Sequence, residues 1–422
     1  MLDASVVKTK KLYYEDAYRT EFYATVLSAE TVNRGGFGPL LDVVLDQTCF
    51  FPEEGGQSPD RGELGGLEVV DVQIRDGEIH HYLRANGDVQ AGEDPASSAI
   101  AQTKEGPAPD PAFPLPGSVI AGRVSWPERF SNMQQHSGEH LFSGTVHRKY
   151  GFDNVGFHLS AREVTLDFSG VIPAADLPEL EREVNAAIWS NIPSEVRMTD
   201  RAGREGLEYR SKLDLDGEVR IVTFPGVDSC ACCAPHVRRT GEIGLLKVVS
   251  MISWKGGVRV SIVCGDRALQ TMQEEHRILT ETALFLTTSK DSLLSQVQKL
   301  KNDAASLASE LKSAAFRELQ REAEAIPGSS EHAVLFNKSA DTDAARKVVN
   351  ELTAVHSGYS AVFTGGDGGM YQFIIGSRQR DCREICAVLK ETFGARGGGK
   401  PDMVQGSVSA SPEEILEIID RI

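Results

Sequence analysis

Residues 132–142 read NMQQHSGEHLF, and the spacing inside this stretch organises the reading of the whole chain. His136 and His140 stand four apart in a run predicted as an amphipathic helix over 131–150. Both imidazoles then share one face, one turn apart. Such a pair is the simplest helical way to offer two nitrogens to one metal ion. Further on, Cys232-Cys-Ala-Pro-His236 offers a thiolate and an imidazole, also four apart. Pro235 and the small residues around it predict a tight loop there. Two histidines from a helix with a cysteine and a histidine from a loop make an N₃S set suited to zinc.

Nearby residues leave alternatives. Cys230-x-Cys232 is another source of ligands, and a redox role for the vicinal pair stays open. Spacing favours Cys232, because Cys233 leaves only Ala234 and Pro235 before His236. Buried packing is the expectation for Cys230 and Cys233. His147, seven residues past His140, is expected to be structural, and His158 to hydrogen-bond within the barrel wall. His136-x-x-Glu139-His140 also matches the H-x-x-E-H pattern of inverted zinc peptidases, with Glu139 as general base. Those enzymes complete the site with a carboxylate. Cys232 and His236 are the completing pair here, and a thiolate lowers the Lewis acidity that peptide hydrolysis needs.

Working outward, residues 118–265 mix two predicted helices, 131–150 and 176–191, with strands such as EVTLDF, EVRIVTF and GVRVSIVC, an α+β pattern. Residues 1–90 are short β-branched and aromatic runs between glycine-rich turns, predicting a β-barrel. Residues 91–117, rich in Pro, Ala and Ser, read as a linker. Over 266–326, Leu269, Met272, His276, Leu279, Ala283 and Leu286 repeat at three and four. The repeat restarts as Leu293, Val297, Leu300, Ala304, Leu307, Leu311 and Ala314. This predicts an antiparallel helical hairpin, with Thr288 and Asp291 as a capping box for its second helix. Apolar stripes left over on such a hairpin predict a homodimer. Residues 327–422 read as a compact α/β domain. The fold class is thus α+β multidomain.

Composition sets limits. At 422 residues, 41% hydrophobic and 25% charged, the chain falls in the soluble globular class, with roughly three domains expected. It has no apolar run near the ~18 residues of a membrane helix, and no secretory signal is visible. Its seven cysteines suit thiols or metal ligands in a cytoplasmic protein better than a disulfide framework. The net charge, 44 − 61 = −17, argues against a broad basic surface for nucleic acid but leaves room for a local one.

HSGEHLF, then NVGFHLSAREVTLDF, then VDSCACCAPHVRRTGEIG resemble the H-x-x-x-H and C-x-x-x-H signature of the alanyl-tRNA synthetase editing domain, as found in stand-alone alanyl-tRNA editing proteins. LYYEDAY and VVLDQTCFFPEEGGQSPDRGEL resemble that family's glycine-rich barrel motif. GARGGGKPDMVQGSVS resembles the DHHA-type C-terminal domain of its longer members. The resemblance spans nearly the whole chain, in order. It implies a zinc-dependent deacylase that hydrolyses mischarged tRNA(Ala) in trans, carrying serine or glycine, with His136, His140, Cys232 and His236 as metal ligands. A non-catalytic tRNA-binding protein on the same scaffold is the alternative. Zinc would either activate a water or hold the amino acid. The family usually has Gly-Gly after the cysteine, where this chain has Cys233-Ala234.

Serine differs from alanine by one hydroxyl, which a synthetic pocket rejects poorly, so a second site that hydrogen-bonds the hydroxyl is the physical remedy. Thr48, beside Phe50-Phe51-Pro52, is the candidate for that contact. The family resemblance implies that Gly55 and Gly56 let backbone approach the tRNA 3′ end and that Gln57 contacts substrate. In a stretch read as a C-terminal loop, Gly394-Ala-Arg-Gly-Gly-Gly399-Lys400 satisfies G-x-x-x-x-G-K, but Pro401 stands where a P-loop needs Ser or Thr, and a helix precedes it. ATP binding is therefore not expected. Arg396, Gly398, Gly399 and Lys400 read instead as a tRNA backbone contact.

Overall fold

A computed structural model of the protein describes residues 8–36, 38–84, 114–211 and 217–422. It divides into two compact units, Met1–Ile278 and Leu279–Ile422. The linker expected over 91–117 lies outside the described residues as far as 113.

The first unit opens with a short strand, β1 (Lys10–Lys11), and one helical turn, α1 (Leu12–Glu15). Strands β2 (Glu21–Arg34), β3 (Gly38–Leu45), β4 (Gln47–Thr48), β5 (Gly62–Leu64), β6 (Leu67–Arg75), β7 (Glu78–Arg84) and β8 (Val119–Val124) follow. Six of them close on themselves in the order β2-β3-β7-β6-β5-β8, every neighbour antiparallel. Period-two alternation sorts the side chains: Phe22, Ala24 and Val26 are buried, while Glu21 and Tyr23 face out. Phe50, Phe51, Leu64, Val69 and Leu83 belong to the core of this part.

Next come α2 (Trp126–Tyr150), β9 (Asn154–Leu159), β10 (Val164–Phe168), α3 (Leu177–Trp189), β11 (Glu195–Thr199), β12 (Val219–Phe224), β13 (Asp228–Ala231), β14 (Leu246–Trp254) and β15 (Gly257–Cys264). They form a four-stranded sheet, β14-β15-β10-β9, and a three-stranded one, β11-β12-β13. Pro127 in its first turn and left-handed Gly151 after its last bound α2. Every residue of α2 from Asn132 to Val146 is buried, so the helix is not amphipathic as its spacing suggested. Its polar residues find partners instead of water. Gln135 exchanges two hydrogen bonds with the backbone of Cys264, at 2.8 and 2.7 Å, and so fixes the helix to β15. A Cβ at Gly138 would fall 2.2 Å from Cys264 Sγ, so only glycine permits this approach.

A buried ion pair ties α2 to the ring of strands. Arg129 and Asp60 are 0% and 2% exposed. The Arg129 Nε donates to both Asp60 oxygens at 3.0 Å, and Nη1 donates to the Ala17 carbonyl at 2.9 Å. Asp60 also accepts from the Phe51 N–H. This network helps to explain why residues 1–90 and 118–265, read as separate domains, share one compact unit.

Helix α4 (Gly265–Phe285) follows β15. The second unit contains α5 (Leu293–Glu324), β16 (Ala333–Asn337), α6 (Thr342–Leu352), β17 (Ser360–Gly365), β18 (Met370–Gly376), α7 (Cys382–Phe393), β19 (Arg396–Lys400), β20 (Met403–Ser409) and α8 (Pro412–Arg421). Its sheet runs β16-β17-β18-β20-β19, with only β16 and β17 parallel. Side chains of Asp341, Asp381 and Ser411 cap α6, α7 and α8.

Three expectations change. The glycine-rich segment 396–400 is the edge strand β19, not a loop, because Gly397 and Gly399 let its backbone close on β20. Thr288 does not cap the second helix. Its N–H closes α4 onto the Ala283 carbonyl, and a 3₁₀ turn over Lys290–Ser292 with Ser289 at its N-cap leads into α5. The heptad stripes are not buried within the chain: Leu269, Met272, Leu279, Val297, Leu300, Leu307 and Leu311 are 45–70% exposed.

Candidate metal centre

The helix α2 and the irregular loop after β13 meet so that His136, His140, Cys232 and His236 each offer a donor atom, all within 4.8 Å of one another. Cys232 Sγ lies 3.5 Å from His136 Nε2 and 3.2 Å from His236 Nε2. The three imidazoles are nearly fully buried, and His140 and His236 pack edge to face with ring centroids 4.5 Å apart.

Each imidazole has an oxygen beside its other nitrogen, in a hydrogen bond at His136 and His236 and in an ion-pair contact at His140. Gln57 Oε1 lies 2.7 Å from His136 Nδ1, Ser137 Oγ lies 3.0 Å from His236 Nδ1, and Asp228 Oδ2 lies 3.0 Å from His140 Nδ1. Asp228 in turn accepts two hydrogen bonds from Arg210, at 2.7 and 2.9 Å. Fixing one nitrogen aims the other at the cluster, which is how metal-ligating histidines are normally oriented. The donor chemistry therefore fits a divalent ion of borderline softness such as zinc.

The electrostatics agree with that fit. Burial, reinforced by Cys233, pushes the Cys232 thiol well up. Burial, reinforced by His140 and His136, pushes His236 well below the ordinary imidazole range. Cys232 and His236 are thus both held in their neutral forms, and a bound cation would supply the charge that turns the thiol into a thiolate. Asp228 is opposed by its burial, yet His140 and Arg210 bring it down to about 2, so it stays ionised.

The cluster opens onto a cleft of about 750 Å³. Gly55 lines it, as do Glu139, Phe157, Cys230 and Cys233. Cys230 and Cys233 are half-buried and line this cleft; Cys233 also packs against the core of the ring of strands, so the expected packing holds in part for Cys233 and full burial holds for neither. Burial, with Glu54 beside it, pushes the Cys233 thiol up to about 12, so it is a neutral thiol at working pH. Gly56 has φ +86°, and a Cβ there would fall 2.5 Å from the Phe157 carbonyl, so Gly56 sits tight against β9.

Other expected site residues lie elsewhere. Thr48 is wholly buried, and its hydroxyl lies 2.8 Å from His81 Nε2. It is not among the residues lining the cleft, because β4 turns it into the interior of the ring of strands. Gln57 is also buried and holds His136. His147 is exposed beside Asp153, and His158 is exposed on β9, outside the cluster. Arg396, Gly398, Gly399 and Lys400 lie exposed on β19 of the second unit. Sequence reasoning did not find Asp228 or Ser137. Ser137 adjoins His136 in the motif, whereas nothing local marks Asp228.

Comparison with known proteins agrees with this arrangement. The family described as "Threonyl and Alanyl tRNA synthetase second additional domain" matches residues 219–260, from β12 through the Cys232–His236 loop into β15. The chain is 24% identical to the alanyl-tRNA editing protein AlaX-L of Pyrococcus horikoshii, covering 97% of each chain. It is 25% identical to the alanyl-tRNA editing protein Aarsd1 of Mus musculus, covering 94% of each. It is 28% identical to the alanine–tRNA ligase of Xanthomonas campestris, over 97% of this chain but 47% of the ligase. With both halves of the ligand motif in place and these matches running end to end, the chain is a homologue of the alanyl-tRNA editing proteins over nearly its whole length.

Proposed function

We propose that the protein is a metal-dependent aminoacyl-tRNA deacylase that clears mischarged tRNA(Ala) in trans, with seryl-tRNA(Ala) as the main substrate and the glycyl form as the second. The observation that carries this reading is the four-donor cluster opening onto a cleft, in a chain similar end to end to alanyl-tRNA editing proteins. Zinc is the metal we assign, held by His136, His140, Cys232 and His236.

A metal held there would supply a Lewis-acidic centre for an aminoacyl ester, which is already activated toward hydrolysis. The chain's own residues do the rest. Gln57, Ser137 and Asp228 set the imidazole planes. Glu139 lines the cleft with its Oε1 fixed by Ser143 and Asn154, at 2.7 and 2.8 Å, and is placed to accept a proton from water at the ester. Gly55 gives the acceptor end a backbone surface without side chains.

In this reading residues 118–265 carry the deacylase site, with residues 1–90 as a barrel domain that supplies Gly55, Gly56 and Gln57. The 266–326 helices carry a dimer contact. Residues 327–422 hold tRNA through Arg396, Gly398, Gly399 and Lys400, and the protein acts in the cytoplasm. The test is deacylation of seryl-, glycyl- and alanyl-tRNA(Ala) by metal-replete protein. Release of serine with alanyl-tRNA(Ala) spared is expected. Tight tRNA binding without release of any amino acid would instead make the protein a tRNA-binding one.

A further inference from the structure

Arg220, on β12, is 7% exposed and lines the cleft that holds the metal cluster. A guanidinium buried to that degree ordinarily comes with a carboxylate. Among the described residues, none lies in ion-pair reach of it. Instead its Nη1 donates to the carbonyls of Cys232 and Ala234, both at 2.9 Å, and its Nε has no partner. The guanidinium lies 5.2 Å from the centroid of the Tyr14 ring. Lys11 Nζ lies 5.1 Å from the same centroid, and Lys8 lines the cleft as well.

The charges of this wall are only loosely paired. Glu54 approaches Lys11 only to 3.8 Å, and its Oε2 has no hydrogen bond. Glu54, Glu139 and Glu218 line the cleft with Lys8, Lys11 and Arg220, three acids for three cations, yet among the described residues none of these acids pairs with Arg220. The fourth cation of the cleft, Arg210, is already paired with Asp228. Arg220 thus presents a buried charge with no carboxylate against it and an unbonded Nε, which leaves it a donor for an incoming anion.

We propose that the Lys11–Tyr14–Arg220 wall binds the phosphodiester of the substrate's terminal nucleotide. The proposal rests on the cleft being an aminoacyl-tRNA site and says which end of the substrate lies where. The ester is carried on the ribose of the last nucleotide, and the nearest anion to it is that nucleotide's own 5′ phosphodiester. Arg220 grips the carbonyl of Cys232, whose Sγ belongs to the metal cluster. Anion site and metal cluster thus adjoin through Cys232, as ester and 5′ phosphodiester sit on one ribose. Arg220 and Lys11 supply charge-assisted donors, the kind phosphate contacts use.

The probes are cytidylyl-adenosine, which carries one phosphodiester, and adenosine, which carries none. Both are titrated calorimetrically into the metal-replete full chain at low salt. The dinucleotide is expected to bind about tenfold more tightly, the scale of one hydrogen bond to a charged group. Lys11→Gln and Arg220→Gln should each remove most of that preference and leave adenosine binding unchanged. Arg220→Gln also loosens the ligand loop, so bound metal is measured in parallel. Lys11→Gln, which touches no ligand, decides the matter if metal is lost. Equal binding of the two probes, survival of the preference in Lys11→Gln, or displacement of the dinucleotide by free serine would overturn the assignment. A phosphate preference in a protein that deacylates no aminoacyl-tRNA keeps this site and refutes the deacylase. A deacylase without the preference does the reverse.

Discussion

At the scale of single residues, the candidate ligands were legible and the residues beside them were not. An i, i+4 histidine pair and a C-x-x-x-H loop carry their geometry in their spacing. Gln57 and Asp228 reach the same histidines from segments far off in sequence, so only the folded chain shows them. The Asp228 carboxylate, ionised and held by Arg210, orients His140. Asp228→Asn should therefore lower metal affinity by about 10–100-fold with the fold intact, read by competition with a chelator of known affinity. Thr48 shows the converse, a residue whose neighbourhood in sequence suggested substrate and whose hydroxyl is committed to His81. Burial brings His81 down from 6.5 to about 4. Its folded value lies below its unfolded one, so its neutral form stabilises the fold above about pH 6.5. That stability is lost as pH falls toward 4, by about 3 kcal/mol at most. Urea denaturation of a His81→Leu, Thr48→Val double variant, which removes both partners, should show a flatter profile between those pH values than the parent.

At the scale of elements, α2 carries the most information and was read most incompletely. It begins at Trp126, five residues before the expected 131, whereas its C-terminal end and two histidines followed from periodicity. That it is buried all round did not, because its polar side chains are satisfied by Cys264, Gln57 and Asp60, none of which is local. The ion pair it makes through Arg129 is fully desolvated, so its energetics are asymmetric. Arg129→Ala strands an unpaired carboxylate at Asp60 and should cost about 3–5 kcal/mol in chemical denaturation. Replacing both partners, as Arg129→Met with Asp60→Leu, should recover much of that loss. If the single and double variants are equally destabilised, the pair matters for its packing and not for its charge. The edge strand β19 was misread for a related reason. A run of glycines signals a loop by composition, and only pairing with β20 shows that their missing side chains let two backbones close together.

At the scale of the whole molecule, the order of parts was legible from motifs, whereas the exposed stripe on α5 becomes meaningful only with its surroundings. The end of α5 is anchored: Leu319 is fully buried in a core shared with α6 and β16. Its earlier turns are not, and Val297, Leu300, Leu307 and Leu311 keep a three–four repeat at 45–70% exposure. A rigid helix that presents an apolar heptad stripe to water is unstable against pairing, because the stripe gains most by packing on an equivalent one. A second copy of the chain offers that stripe in the same geometry, so one isologous contact would cover both. Leu300→Glu with Leu307→Glu places two charges at the centre of such a seam. The dimer we infer should then become a monomer in light scattering, while zinc content and seryl-tRNA deacylation per chain stay as they were, since the cluster lies in the first unit. A native chain that already runs as a monomer at tens of micromolar, on the order of assay concentrations, would leave the helices as spacers between the units we propose as catalytic and tRNA-holding.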